Sequence, residues 1–320
     1  MRQVVVEAFG APDALVVRER PTPAPGVGEV LVAVGAAGVN YMDVRQRAGS
    51  YGATLPFAPG AEGSGTVAAV GEDAAPWRVG DRVVWTGIPG SYADHVVAPA
   101  DTLIAVPQGL SLETAAAVLL QGLTARGLLE VTTPVRPGDS ALVHSAAGGV
   151  GLLLVQMLVA AGVRVIGAVS TDGKAQVARD AGAHETIVYA GTDVAARVRE
   201  RTGGEGAAAV YDAVGAATIA GSLAAARKGG KVVTYGAASG PAGPLAVGDL
   251  PPGVFAGRFA LQQHYATRDA RRAAAAALFD DVAAGRLRVT VSGRYALEQA
   301  PAAHAALESR QTTGKLLLVP

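Results

Sequence analysis

The chain contains no cysteine among its 320 residues. Disulfides are therefore excluded, as is any zinc site built on thiolates. It also lacks a net charge, since 27 Lys plus Arg stand against 27 Asp plus Glu. Without a basic excess or aromatics interleaved among basic residues, nucleic acid and anionic lipid are not expected partners. The one tight basic pair, Arg271-Arg272, reads as a solvated helix face. Histidine is scarce, and His95, His144, His184, His264 and His304 are far apart. A catalytic zinc needs three protein ligands, so no metal is expected. The start, MRQVVVEAFG, lacks the apolar core of a signal peptide, and a cytoplasmic location is the expectation.

Long apolar runs are lacking too, with one exception. In "HSAAGGVGLLLVQMLVAAG", residues 144–162, only Ser145 and Gln156 are polar between His144 and Arg164. That approaches the ~18–20 apolar residues of a membrane span. Yet Gly148, Gly149 and Gly151 crowd its first third, and glycine inside a helix costs about 1 kcal/mol relative to alanine. At a turn the same glycines cost little. The run therefore reads as a strand end, a turn and a buried helix.

The rest of the chain supports that reading. The first ~120 residues are short β-rich segments broken by turns, such as "QVVVEAF", "EVLVAVGAAGV" and "VGDRVVWTG". Residues 111–131 switch to helical spacing, with Ser111 as N-cap. From Ser140 onward strands alternate with helices: "SALVHSA", 149–161, "VRVIGAV", "DGKAQVARDAGA", "ETIVY", "DVAARVRERTGG", "AAAVYDAVG", "AATIAGSLAAARKGG" and "KVVTYGA". That rhythm predicts βαβ units around a parallel sheet. A helix at 268–284, a strand "LRVTVSGRY", a helix at 298–309 and the strand "GKLLLVP" are expected to complete the first domain.

The glycines match a dinucleotide fingerprint, G-x-G-x-x-G after a strand, in the form Ala146-x-Gly148-x-x-Gly151. A backbone without Cβ lets a pyrophosphate reach the N–H groups and positive dipole end of the next helix. The second strand ends at Val169, which cannot accept a ribose hydroxyl, whereas Ser170 and Lys174 can hold a 2′-phosphate. NADPH is therefore expected over NADH, with Asp172 as the dissenting carboxylate.

Taken together, "GVNYMDVRQRAGSY", "PFAPGAEGSGTVAAVG", "HSAAGGVGLLLVQ", "STDGKAQVARDAGA", "VYDAVG" and "ALESRQTTGKLLLVP" resemble the zeta-crystallin-like quinone oxidoreductases. These form the zinc-free branch of the medium-chain dehydrogenase/reductases, and the likeness spans essentially the whole chain. It implies an α/β chain with a GroES-like β-rich substrate domain, 1–122 and 263–320. A Rossmann doubly wound parallel-sheet domain, 123–262, binds NADP(H). It implies reduction of quinones or of enone and alkenal C=C bonds with NADPH, and a homodimer. An enoyl reductase of polyketide-like intermediates and a non-enzymatic NADPH- and RNA-binding role are the alternatives.

Residue by residue, the resemblance places Asn40, Tyr51 and Thr124 near the nicotinamide, and Ala147, Gly148, Gly149 and Val150 at the pyrophosphate turn. It groups Ser170, Lys174 and Tyr189 around the 2′-phosphate. Tyr235-Gly236 and the stretch from Phe255 to Arg258 fall on the far side of the nicotinamide. Tyr51 and Asn40 are the expected catalytic donors to the oxygen that gains charge as hydride arrives. Zinc-dependent relatives need a Cys ligand near Asn40 and a His before Glu62; here Asn40 and Ala61 stand there. Glu62 reads as a buried carboxylate met by backbone donors or an arginine, and His144 as core filler. Gln121, where some members have lysine, is a further departure.

Overall fold

The computed structural model describes residues 1–132 and 135–320. Its valine-rich start forms β1 (Arg2–Val6), which β2 (Leu15–Glu19) pairs antiparallel. After the Pro/Gly loop comes β3 (Glu29–Val39), ending at Asn40, the N-cap of α1 (Tyr41–Arg47). Four strands follow: β4 (Glu62–Val70), β5 (Arg82–Thr86), β6 (His95–Pro99) and β7 (Ile104–Ala105). In α2 (Leu112–Val131) the Thr114 N–H donates to Ser111 Oγ at 3.0 Å, the cap expected of that serine.

Strands and helices then alternate: β8 (Ser140–His144), α3 (Gly149–Ala160), β9 (Arg164–Val169), α4 (Asp172–Asp180), β10 (Glu185–Val188) and α5 (Val194–Arg201). β11 (Ala207–Asp212), α6 (Ile219–Ala225), β12 (Ala226–Thr234) and β13 (Phe255–Arg258) continue the series. α7 (Leu261–His264), α8 (Arg268–Ala283), β14 (Val291–Tyr295), α9 (Ala300–Glu308) and β15 (Lys315–Leu318) close the chain.

The chain divides into two compact units, Met1–Leu120 with Thr267–Pro320, and Gln121–Ala266. The first holds a seven-stranded sheet in the order β14-β15-β3-β4-β5-β7, with β6 also paired to β3. All its pairs are antiparallel except β14–β15. The closing strand β15 sets Leu316 opposite Val39, so the chain's end returns to the segment that leads into Asn40. Val4, Val32, Val83, Trp85, Leu103 and Leu318 are among the side chains of this core.

The second unit is six parallel strands in the order β10-β9-β8-β11-β12-β13. From β8 the chain winds outward one way through β9 and β10, then the other way through β11 to β13. Neighbouring strands that wind in opposite directions leave a crevice at their carboxyl ends, here those of β8 and β11. Strands covered on both faces read as continuous apolar runs, and β8, β9 and β11 are buried almost throughout.

The opening run resolves as read: β8 ends at His144, residues 145–148 turn, and α3 follows, largely buried. Among the described residues no helix is long and apolar enough to cross a membrane. One expected helix is shorter than its sequence suggests. α6 stops at Ala225 because Ala226 pairs with Ala207 of β11, and sheet pairing overrides the helical propensity of "AAARK".

Candidate active site

The turn after β8 is built by close packing. Ser145 takes a left-handed conformation, φ 53°, and its carbonyl accepts from the Gly148 N–H at 2.8 Å. A Cβ at Gly151 would overlap that carbonyl oxygen and crowd the Ala146 backbone, so glycine is required where α3 meets the turn. Ala146 in turn packs within 2.9 Å of where a Cβ on Gly167 of β9 would sit. The third glycine of the fingerprint therefore serves packing, and alanine suffices at the first position.

No side chain caps α3, whose N-cap is Gly148. By contrast Thr171, Asp193 and Thr267 cap α4, α5 and α8. The first N–H groups of a helix have no intrahelical acceptor. Those of Gly149, Val150 and Gly151 face the crevice with the positive end of the helix dipole behind them. Ala147 is 2% exposed, and its small side chain leaves the turn uncluttered. An anionic pyrophosphate fits this arrangement.

Ser170 directly follows β9, Lys174 lies in the first turn of α4, and Tyr189 follows β10. The Tyr189 N–H donates to the Val169 carbonyl at 3.1 Å, which brings the two strand ends together. Lys174 is half-buried, and that burial lowers the proton affinity of its ammonium. Asp172 is the first residue of the same helix. Thr124 is half-buried on α2.

Asp212 escaped the sequence reading. Fully buried at the end of β11, its carboxylate accepts from the Val214 and Gly215 N–H groups at 2.8 and 3.0 Å. Thr218 Oγ1 and Ser222 Oγ also donate to it, at 2.8 and 2.7 Å. Ser222 also meets His144 Nε2 at 3.0 Å, so His144 belongs to a polar network rather than to apolar filler. Burial lowers the pKa of that imidazole. The network pins the loop after β11, against which the Tyr235-Gly236 backbone lies. The Tyr235 N–H donates to the Asp212 carbonyl at 2.9 Å, and a Cβ on Gly236 would overlap the Ala213 carbonyl. The Tyr235 hydroxyl is buried without a hydrogen-bond partner, and burial pushes its pKa up.

Phe255 is placed differently from its expected role. Parallel pairing sets it beside Lys231, which lies beside Ala209 and thus level with Ala141, at the amino end of the sheet. It is therefore three strands, roughly 14 Å, across from β8 and several residues below the turn. It is also 63% exposed and lines a surface pocket of about 410 Å³ on the sheet edge. The alternation of "FAGR" could not reveal which end of the strand faces the crevice. Arg258, opposite Thr234, is the member of the stretch at the carboxyl end.

In the first unit Asn40, Glu62 and Lys315 converge. Asn40 Nδ2 donates to Glu62 Oε1 at 2.7 Å and, at 3.4 Å, to the Gly38 carbonyl. Lys315 Nζ donates to Asn40 Oδ1 at 2.8 Å, to the Val39 carbonyl at 3.2 Å, and to Glu62 Oε1. Glu62 is thus met by a lysine and a carboxamide, partners that the sequence reading did not name. Its partner is 253 residues away, so no local spacing could announce it.

Beneath Asn40 lies a second buried group. Asp43 Oδ2 accepts from the Asn40 N–H at 2.9 Å and from the Tyr92 hydroxyl at 3.0 Å, and that hydroxyl meets His304 Nε2 at 3.2 Å. Desolvation raises the Asp43 pKa to about 7. Desolvation, with help from Arg47, lowers His304 to about 3. Tyr51 lies beyond α1, 45% exposed, its ring under the Arg45 guanidinium at 5.3 Å. Such stacking orients the ring.

Two family models match within the chain. The alcohol dehydrogenase GroES-like domain matches residues 26–108, and the zinc-binding dehydrogenase domain matches 181–318. Together they define a medium-chain dehydrogenase/reductase. A quinone oxidoreductase of Pseudomonas aeruginosa is 40% identical over 323 residues, 100% of this chain and 99% of its own. A 2-haloacrylate reductase of a Burkholderia species is 38% identical over 327 residues, covering 99% and 98%. The crystal structure of the Escherichia coli quinone oxidoreductase complexed with NADPH superposes with a TM-score of 0.96 at 35% identity, over all of both chains. The chain belongs to the quinone oxidoreductase family of the medium-chain dehydrogenase/reductases.

A zinc ion does not fit the residues beside Asn40. The Lys315 ammonium contacts both Asn40 and Glu62, and among the described residues no three His, Cys, Asp or Glu could hold a metal.

Asp43 and His304 make opposite contributions to stability as pH changes. Asp43, its folded pKa raised, stabilises below about pH 3.8 and loses that contribution as pH rises to about 7. His304, its folded pKa depressed, stabilises above about pH 6.5 and loses that contribution as pH falls toward 3. Relative to wild type, Asp43→Asn should therefore lose stability on acidification from pH 7 to 4, and His304→Gln should gain it. Each slope is at most about 1.4 kcal/mol per pH unit. Urea melts along that pH series that run parallel for all three proteins would refute both assignments.

Proposed function

We propose that this protein is an NADPH-dependent reductase that passes hydride to a quinone or to the activated C=C bond of an enone or alkenal. The observation that carries it is the uncapped α3 N-terminus at the point where the sheet reverses its winding, with Gly151 packed so closely that the turn keeps one shape. Ser170, Lys174 and Tyr189 at the next strand ends supply hydroxyls and a cation for a 2′-phosphate. The relatives named for quinones and for a haloacrylate support both acceptor classes.

Bound there, the nicotinamide supplies the hydride; the chain orients it and steadies the charge that develops on the acceptor. The Tyr51 hydroxyl serves as hydrogen-bond donor to the acceptor's oxygen. Both Asn40 amide protons are directed at acceptors within its own unit, so Asn40 seats the nicotinamide rather than donating to substrate. Thr124, Tyr235, Gly236 and Arg258 are assigned to the same cofactor end.

The site also implies pairing between copies. β13 is an edge strand whose four residues are all exposed, and such an edge invites a second copy across a two-fold axis. Light scattering at micromolar concentration should give twice the chain mass; a monomer rejects this arrangement.

The catalytic reading is tested by NADPH consumption over a panel of quinones, alkenals and 2-enoyl thioesters, with wild type and Tyr51→Phe. A donor used mainly in the transition state predicts kcat and kcat/KM falling together by roughly 10–100-fold. The loss should be larger for enones, which accept electrons less readily than quinones. Unchanged turnover of every acceptor would reduce Tyr51 to a loop residue.

A further inference from the structure

The Asn40 carboxamide has two chemically distinct ends, and the structure gives each a charge of the opposite sign. Its oxygen accepts from the Lys315 ammonium at 2.8 Å, and its nitrogen donates to the Glu62 carboxylate at 2.7 Å. The two charged side chains are 4% and 1% exposed, so bulk water does little to screen them. Turning the carboxamide over would set its NH2 against an ammonium and its oxygen against a carboxylate. Two charge-assisted hydrogen bonds, the strong kind, would be replaced by two repulsions.

Lys315 is held on three sides: an ammonium has three protons, and it donates to Val39, Asn40 and Glu62. The backbone is shaped around this arrangement. A Cβ at Gly38 would overlap Glu62 Oε1 and lie 2.7 Å from Lys315 Cε, so glycine alone leaves room for the pair. Three strands deliver the parts: β3 ends at Val39, β4 begins at Glu62 and β15 begins at Lys315. Stability alone is a weak reason to retain such a pair, because apolar replacements of buried ion pairs are often neutral or stabilising.

We propose that Lys315 is a positioning residue: with Glu62 it locks the Asn40 carboxamide in one orientation, and so fixes how Asn40 meets the nicotinamide. This rests on the reading above that Asn40 belongs to the site. Lys315 touches neither reactant in this account and acts only through Asn40.

The test is a mutant cycle built on Glu62→Gln/Lys315→Met, which removes both charges together and leaves no buried ion unpaired. That double variant should keep a melting temperature near that of wild type and a KM for NADPH within about twofold. Its kcat should fall roughly 10–100-fold, the scale of a misplaced positioning group. Asn40→Ala should fall by a similar factor, and adding Asn40→Ala to the double variant should cost little more. The Asn40 side-chain amide protons, slow to exchange in wild-type NMR spectra, should exchange quickly in the double variant. Wild-type kcat in the double variant, with Asn40→Ala still impaired, overturns the positioning role alone. So does a full additional loss on adding Asn40→Ala. Wild-type kinetics for Asn40→Ala overturn the site reading beneath it.

Discussion

A carboxylate taken out of water must be met by donors or a cation, since burying it unpaired costs several kcal/mol. This chain buries Glu62 and Asp43 in the first unit and Asp212 in the second, and Glu62 and Asp212 each organise a segment that carries candidate site residues. In the first unit Glu62 draws in Lys315 and Asn40, tying the last strand to the start of α1. In the second Asp212 gathers two backbone N–H groups and two hydroxyls, and so shapes the loop after β11. The order of both segments follows from satisfying Glu62 and Asp212.

The second unit is where sequence and structure agree most closely, because its logic is local. The glycines of 148–151 act on atoms within a few residues, Ser145 and Ala146, and the strand–turn–helix context lies in the same stretch. The alternation of apolar strands with helices of about ten residues carries the βαβ units and the parallel sheet, while the doubly wound order came with the family resemblance. It misled at Ala226, where pairing with Ala207 outweighed a helical composition.

The first unit's site was less legible. Asn40 and Tyr51 were candidates from the family resemblance, but the ammonium that meets Asn40 comes from 275 positions later. Lys315 opens an apolar strand, where a lysine reads as an ordinary solvated strand end. Asp212 hid in the same way, as the last residue of an apolar strand. In both cases the missing information was burial, which gives a commonplace charged residue its consequence. For Phe255 the strand was legible, but its register, which places it level with Ala141, was not written in its own residues.

The division of labour that emerges gives the cofactor's phosphates to the second unit. In the function proposed above, the open helix N-terminus receives the pyrophosphate and Lys174, with its ammonium half-buried, the 2′-phosphate. The most direct test is calorimetric titration of wild type and Lys174→Ala with NADPH and with NADH. Wild type should bind one NADPH per chain and hold NADH at least tenfold more weakly. Lys174→Ala should lose roughly tenfold or more for NADPH alone, the effect of one charged contact. Equal binding of the two cofactors by wild type, or an equal loss for both in the variant, would contradict the account and turn attention to Asp172.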